Sequence, residues 1–305
     1  MIRHYRLPLI KKTILTCLIF TGSVFSQTEL VLKNSFIQKY RNQVTIDVKF
    51  YVDKPHQRPN RAVDDADLHI AGRATEVGLP MVAEIMNAAT EKPTVDFVKS
   101  SAGKSDPIKM SGAWRLWFEH PGSKPHIQGK NVPKATSTNP DHVFEIHPIT
   151  SIEDTDLRQT LTPISGYDPY DYTVFDKFDR KAFEIIPGKK TTTIITKKSF
   201  YNYVDFIMEL TDEDQKVVKD GRFVMANVVD EHRKFVVGDI RMVFVKGSKP
   251  EELVKTLGPS DTLRVLGTPR INLEEVSRRI TQSKTNKNVL TYTLPYEMII
   301  VGVYR

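Results

Sequence analysis

Three short stretches, Asp67–Arg73 (DLHIAGR), Trp114–His120 (WRLWFEH) and Asn139–Pro148 (NPDHVFEIHP), alternate ionisable with large apolar residues, and they restrict the fold more than any other feature of the chain. A period of two sends successive side chains to opposite faces of a strand. Each stretch therefore reads as a β-strand with one face in a core and the other displaying chemistry. Together they hold His69, His120, His142 and His147, half of the eight histidines, beside carboxylates and arginines. The alternation sets Asp67, His69 and Arg73 opposite Leu68 and Ile70, and Glu145 and His147 opposite Phe144 and Ile146. Arg115 shares a face with Trp117 and Glu119, while His120, Asp141 and His142 fall near strand ends. The candidate functional face is thus Asp67, His69, Arg73, Arg115, Glu119, His120, Asp141, His142, Glu145 and His147.

The rest of the chain repeats a strand rhythm. Gln43–Val52 reads as a strand, and Asp53–Asp65 as an exposed loop. Gly78-Leu79-Pro80 is expected to open a helix carrying Leu79, Val82, Ala83 and Met86 on one face. Strands over Ile108–His120 and His142–Ile149 follow, joined by a loop from Pro121 to Pro140 rich in Gly, Pro, Ser and Asn. In the second half, Thr191–Leu210 reads as one long strand, followed by strands over Arg222–Val229 and Phe235–Lys246. A short helix from Pro250, a strand over Thr262–Leu266, a helix over Leu273–Ile280 and a strand over Glu297–Val303 complete it. Strands, a helix, then more strands is the order of an OB-fold, a small five-stranded barrel. The expected architecture is mainly β with short helices: two OB-like barrels in tandem, over residues 27–155 and 191–305, with a connecting segment over 156–190. Lys109–Arg115 and Arg264–Arg270 occupy equivalent places, each with a glycine three residues before an arginine, which points to duplication.

Residues 1–26 read as an export signal: basic residues Arg3, Arg6, Lys11 and Lys12, an apolar run from Thr13 to Phe25, and small residues Val24 and Ser26 before Gln27. The expected location is periplasmic or secreted. The apolar run is short for a membrane span, and no later segment approaches the roughly 20 apolar residues a spanning helix needs. Four of the seven excess positive charges belong to this signal. Net charge therefore gives no support to a general attraction for nucleic acid, though a local patch is compatible with it. The single cysteine, Cys17, also lies in the signal, so the mature chain has no disulfide and no thiolate ligand or nucleophile.

Imidazoles and carboxylates on one face could hold a divalent metal such as zinc or manganese, with His69, Glu145 and His147 as first candidates. The same set could do acid and base work on a phosphodiester, with arginine steadying charge. Zinc-protease spacings, glycine-rich phosphate loops and a Gly-x-Ser-x-Gly elbow are absent. The structural alternative is an antiparallel sheet whose polar face is solvated and whose charges form ordinary cross-strand pairs. Lys197 and Lys198 with Tyr201 and Tyr203 form an aromatic and basic stretch of the kind that stacks bases, or else a strand that packs.

The motifs Asp67-Leu68-His69, Gly112 followed by His120, and Glu145-Ile146-His147-Pro148 resemble those of a widespread group of exported bacterial proteins of unassigned function. This chain has Glu119 before His120 where that group more often has aspartate, and a longer segment between its first two motifs. The resemblance covers roughly residues 40–150; it implies a compact β domain and supplies no activity. On this basis the expected function is extracytoplasmic binding of an unidentified ligand on the polar face of the first domain. The alternatives are a metal-assisted phosphodiesterase or nuclease, which would need Arg73 or Arg115 against a phosphate, and a structural envelope component.

Overall fold

The structure, a computed structural model, describes residues 27–129, 131–211, 215–283 and 290–304. Residues 1–26, read above as an export signal and including Cys17, lie outside the described residues. The first barrel is built from β2 (Thr45–Pro55), β3 (Leu68–Arg73), β4 (Met81–Ile85), β5 (Ile108–His120) and β7 (His142–Ile152), with helix α2 (Lys92–Ser101) between β4 and β5. Its strands run in the order β4-β3-β2-β5-β7, and β4 closes the ring by pairing in parallel with β7. The second barrel repeats the plan with β11 (Val204–Leu210), β13 (Gly221–Val229), β14 (Phe235–Val245), helix α4 (Lys249–Val254), β15 (Thr262–Ile271) and β17 (Tyr296–Val303). There β14 pairs in parallel with β17, and β11 bonds to both β13 and β15. In each barrel the third and fifth strands are parallel, the fourth lies between fifth and first, and a helix follows the third strand. This is the tandem OB-like architecture the strand rhythm implies. Two short strands extend these sheets, β8 (Thr155–Asp156) beside β7 and β12 (Lys216–Val218) beside β13.

The helix expected from Gly78 is strand β4. All five of its residues are buried, because one side faces the barrel core and the other is covered as well. A short run apolar on both sides fits helix and strand periodicity equally well. The helix that follows the third strand begins instead at Lys92, has Pro93 in its first turn and turns Val95 and Val98 inward. Gly112 is required where β5 crosses β7. A Cβ there would lie 2.3 Å from Ile146 Cγ2 and 2.6 Å from the Pro148 carbonyl oxygen.

A third sheet holds the remaining strands in the order β16-β9-β10-β1-β6. They are β1 (Gln27–Lys33), β6 (His126–Ile127), β9 (Ala182–Pro187), β10 (Thr191–Lys197) and β16 (Leu290–Thr293). Helices α1 (Asn34–Tyr40), α3 (Val174–Asp179) and α5 (Leu273–Ser283) complete the chain. Thr191–Leu210 is therefore two strands. The break comes at Phe200-Tyr201, where Tyr201 adopts φ +83°, and it sends β10 to the third sheet and β11 to the second barrel. Leu68, Ile70, Phe144 and Ile146 join the main hydrophobic core, as the alternation implies. A second cluster joins the barrels: Val44, Met86 and Ala113 of the first pack with Tyr203, Val243, Leu266 and Ile299 of the second half.

Candidate functional site

The polar faces of β3, β4, β5 and β7 converge, but on the inside of the molecule. Arg115 and Glu145 are register partners on β5 and β7, and both are buried. The Arg115 guanidinium bonds to Glu145 through Nη1, donates to Glu119 Oε2 at 3.1 Å through Nη2, and donates to the Pro269 carbonyl of the second barrel at 3.0 Å through Nε. Burial opposes the Glu145 charge, but Arg115 and His142 hold its carboxyl well below the ordinary range. His142 bridges the Pro140 carbonyl (2.7 Å) and Glu145 Oε1 (3.1 Å) through its two ring nitrogens. It stacks on the half-exposed His120, with ring centroids 5.4 Å apart.

Beyond Glu145 the cluster continues as a chain of close polar groups. The Tyr203 hydroxyl donates to Asp67 Oδ2 at 2.6 Å and lies 2.7 Å from His147 Nε2. With that hydroxyl proton directed at Asp67, His147 Nε2 donates to the tyrosine oxygen. His147 Nδ1 lies 3.5 Å from Glu84 Oε2 and 3.7 Å from Glu145 Oε2, and His69 Nε2 lies 3.6 Å from Glu84 Oε2. His69 stacks on His56 at 4.8 Å. Burial lifts the Glu84 carboxyl to about 7 although His69 and His147 pull it down. Burial also works against both imidazolium ions, yet the surrounding carboxylates, Glu84 first, hold His147 up to about 10 and His69 up to about 9. Several of these contacts are too long for hydrogen bonds. Asp67 Oδ1, both ring nitrogens of His69, Glu84 Oε2 and His147 Nδ1 are buried with no hydrogen-bond partner.

Asp67, His69, Arg115, Glu145 and His147 therefore form one site, with Glu119, His120 and His142 along its edge. Arg73 and Asp141 stand apart. Arg73 grips Asp53 through three hydrogen bonds of 2.9 to 3.2 Å, on the part of β3 away from the cluster, and Asp141 is exposed just before β7. Tyr203 is not a surface stacking residue: it is fully buried at the centre of the cluster. Tyr201 packs edge-on against Phe178, whereas Lys197 and Lys198 line a separate groove. The solvated-face alternative is overturned as well, since Tyr203 and the second barrel cover that face. Glu84 is a residue of the cluster that the sequence reading leaves out, because a helix over 78–86 places it elsewhere; Asp65, 3.9 Å from His69, is another. The signal for Glu84 was a lone carboxylate inside the apolar run Met81–Ile85.

Among the described residues, the group whose geometry could hold a metal ion is Asp67, Glu84 and His147, each offering one ligand atom within 4.8 Å of the others. This shifts the expected trio. Glu145 is committed to Arg115 and His142, and His69 lies between Glu84 and Asp65, 3.6 and 3.9 Å from their carboxylates. A cleft of about 190 Å³ opens over the cluster, bounded by His69, Glu84, Glu119, His120, Tyr167 and Asn202.

The second barrel provides an internal comparison. Its Arg270 and Glu297 are register partners on the fourth and fifth strands, as Arg115 and Glu145 are in the first. The Arg270 Nη1 donates to the Trp114 carbonyl at 3.0 Å, while Arg115 donates to that of Pro269, so each arginine bonds to the residue preceding the other. With the two pairs aligned, strand register matches His69 with Phe223, Glu84 with Val243 and His147 with Ile299. The arginine–glutamate pair belongs to the shared framework. The second barrel adds Arg241, bonded to Glu297, whereas His69, Glu84 and His147 belong to the first barrel alone.

No protein-family model matches this chain, and no curated protein matches it. Among solved structures, it is similar to a murine DNA-binding protein determined with double-stranded DNA, at 10% identity over 86% of this chain and 98% of that one. The TM-score of 0.18 is too low to bear on fold or function.

Proposed function

We propose that this chain is an extracytoplasmic binding protein that holds a divalent cation among Asp67, Glu84 and His147 and receives its ligand at the cleft above them. The observation that carries this reading is the unmet polarity of the site. Five buried atoms on Asp67, His69, Glu84 and His147 have no hydrogen-bond partner, and each such atom costs about 1–3 kcal/mol unless something satisfies it. An ion bound by two carboxylates and an imidazole suits zinc or manganese. The apolar counterparts Phe223, Val243 and Ile299 support the same reading, because a barrel of this plan closes without those charges. The extracytoplasmic placement rests on the composition of residues 1–26 and on the motif resemblance.

Hydrolysis is the weaker reading. It calls for an arginine free to meet a phosphate, but Arg73 is held by Asp53 and Arg115 by Glu145, Glu119 and the Pro269 carbonyl. An assembly component that buries its polar face against a partner is also disfavoured, since this face is buried within the chain. Thermal melts test the proposal directly. Zinc or manganese at a hundred times its Kd is expected to add about 2.7 kcal/mol of stability, and EDTA to remove it. Glu84→Gln, which keeps the shape of the side chain and removes its ability to ionise, should abolish that response while the protein still folds. A melting temperature indifferent to chelator and to both metals refutes the cation site.

A further inference from the structure

A second concavity, a groove of about 710 Å³, lies beside the cleft between the third sheet, α3 and the turn after β5. It gathers Lys177, Arg180, Lys181, Lys197 and Lys198, and no carboxylate is among the residues that line it. Five cations around one groove are notable in a chain whose formal excess is +7, four of it in the first 26 residues. Some of these cations are partly engaged. Arg180 pairs with Asp176 at 2.7 Å, the Lys181 ammonium donates to the Lys198 carbonyl at 2.6 Å, and the Lys177 ammonium sits 4.9 Å above the Tyr201 ring. Burial and the neighbouring Lys197 bring Lys181 down to about 8, a crowding that a bound anion relieves.

One wall of the groove is Phe200, a large aromatic residue 52% exposed, with the Lys198 ammonium 4.8 Å from its ring centre. An exposed ring at the edge of a positively charged groove is the combination that binds single strands, with phosphates on the cations and a base on the ring. We propose that this groove binds single-stranded nucleic acid, with its phosphates along Lys177, Lys181, Lys197 and Lys198 and one base stacked on Phe200. A sulfated or carboxylated glycan would satisfy the cations but offers no π face to the ring, so Phe200 decides between them. Phe200 also borders the cleft over Glu119 and His120, so a strand leaving the groove passes its mouth.

Fluorescence anisotropy with a labelled oligo-dT, alongside heparin, tests the proposal on the full mature chain. With four cations meeting phosphates, log K should fall against log salt with a slope near −3, from about −0.7 per neutralised phosphate on a single strand. Phe200→Ala removes a solvent-exposed ring. It should weaken oligo-dT binding by about tenfold, leave the salt slope unchanged and leave heparin binding unchanged. Lys197→Glu with Lys198→Glu should weaken both ligands and flatten the slope, with an unchanged melting temperature confirming the fold. No oligo-dT binding at low salt overturns the proposal. So does equal binding of oligo-dT by wild type and Phe200→Ala, which makes the groove a site for anionic chains in general.

Discussion

Glu145→Gln removes one charge from the centre of the site while preserving its shape, and its cost separates a desolvated ion pair from a surface one. The Glu145 side chain is 2% exposed and that of its partner Arg115 is 1% exposed. Breaking a buried pair on one side typically costs 3–5 kcal/mol, because the remaining charge stays out of water. Arg115 keeps Glu119, whose side chain is 18% exposed, and the Pro269 carbonyl. The glutamine oxygen can also still accept a hydrogen bond. The expected loss therefore sits at the low end, about 3 kcal/mol. Had the two residues been a cross-strand pair on a solvated face, as the sequence alone allowed, the loss would be of order 1 kcal/mol. Urea melts with an unchanged m-value measure it, and a domain of this size should lose about 6–12 °C in Tm. The double variant Glu145→Gln with Arg115→Met should recover part of the loss, because it removes the stranded charge. A loss below about 1 kcal/mol for Glu145→Gln, or a double variant worse than the sum of its parts, would refute the desolvated pair.

Three further outcomes follow from the same geometry. In EDTA, the urea midpoint should fall as pH rises from about 6.5 towards 10. His147 at about 10 and His69 at about 9 stand above the unfolded value of 6.5, so their contribution is complete below that value and is lost through the folded ones; a profile flat across this window, or one that His147→Asn does not flatten, counts against it. Ile146→Asp puts a carboxylate in the first barrel's core, where Ile146 has no exposure, and should cost several kcal/mol or prevent folding, so an unchanged melt would reverse the faces of β7. Installing the second barrel's residues, His69→Phe, Glu84→Val and His147→Ile together with Asp67→Asn, should give a folded protein no less stable than wild type by urea melt and without any thermal response to zinc or manganese.

The two barrels were legible because period-two alternation and the position of one helix are local properties. Strands over Arg222–Val229 and Phe235–Lys246 are found within a residue, and that over Gln43–Val52 within three. Strand β4 was not legible as a strand. A five-residue run buried on both faces carries no alternation, and Pro80 mimics a helix start. With β4 went Glu84. The break in Thr191–Leu210 was hidden for the opposite reason, since Phe200-Tyr201-Asn202-Tyr203 keeps an aromatic pattern across the turn and nothing local forces a positive φ at Tyr201. The set Asp67, His69, Glu145 and His147 could be read as sharing a face, but not what that face meets. Its cover, Tyr203, lies 136 residues from Asp67 in sequence, and tertiary packing of that range leaves no local trace.

Why one barrel holds charges where its partner holds Phe223, Val243 and Ile299 is a question of energetics. Buried ion pairs gain little over well-packed apolar residues, and replacing them is often neutral or stabilising by 1–4 kcal/mol. Stability therefore explains the apolar version found in the second barrel better than the polar one in the first. The arginine–glutamate pairs have a different status: each arginine reaches across to the backbone of the other barrel, and both copies keep it, so they fasten the barrels together. Once that shared pair is set aside, what distinguishes the first barrel is a set of groups held near one another without mutual hydrogen bonds. Among the three residues placed to hold an ion, His147 Nδ1 lies 3.5 Å from Glu84 Oε2. That spacing is too long for a good hydrogen bond and close to the distance between ligands around a small tetrahedral ion, about 3.4 Å for metal bonds of about 2.1 Å. The same spacing costs stability in a network built only to hold a fold and is the working separation of a coordination shell, so the variant carrying the second barrel's residues should lose metal binding without losing stability.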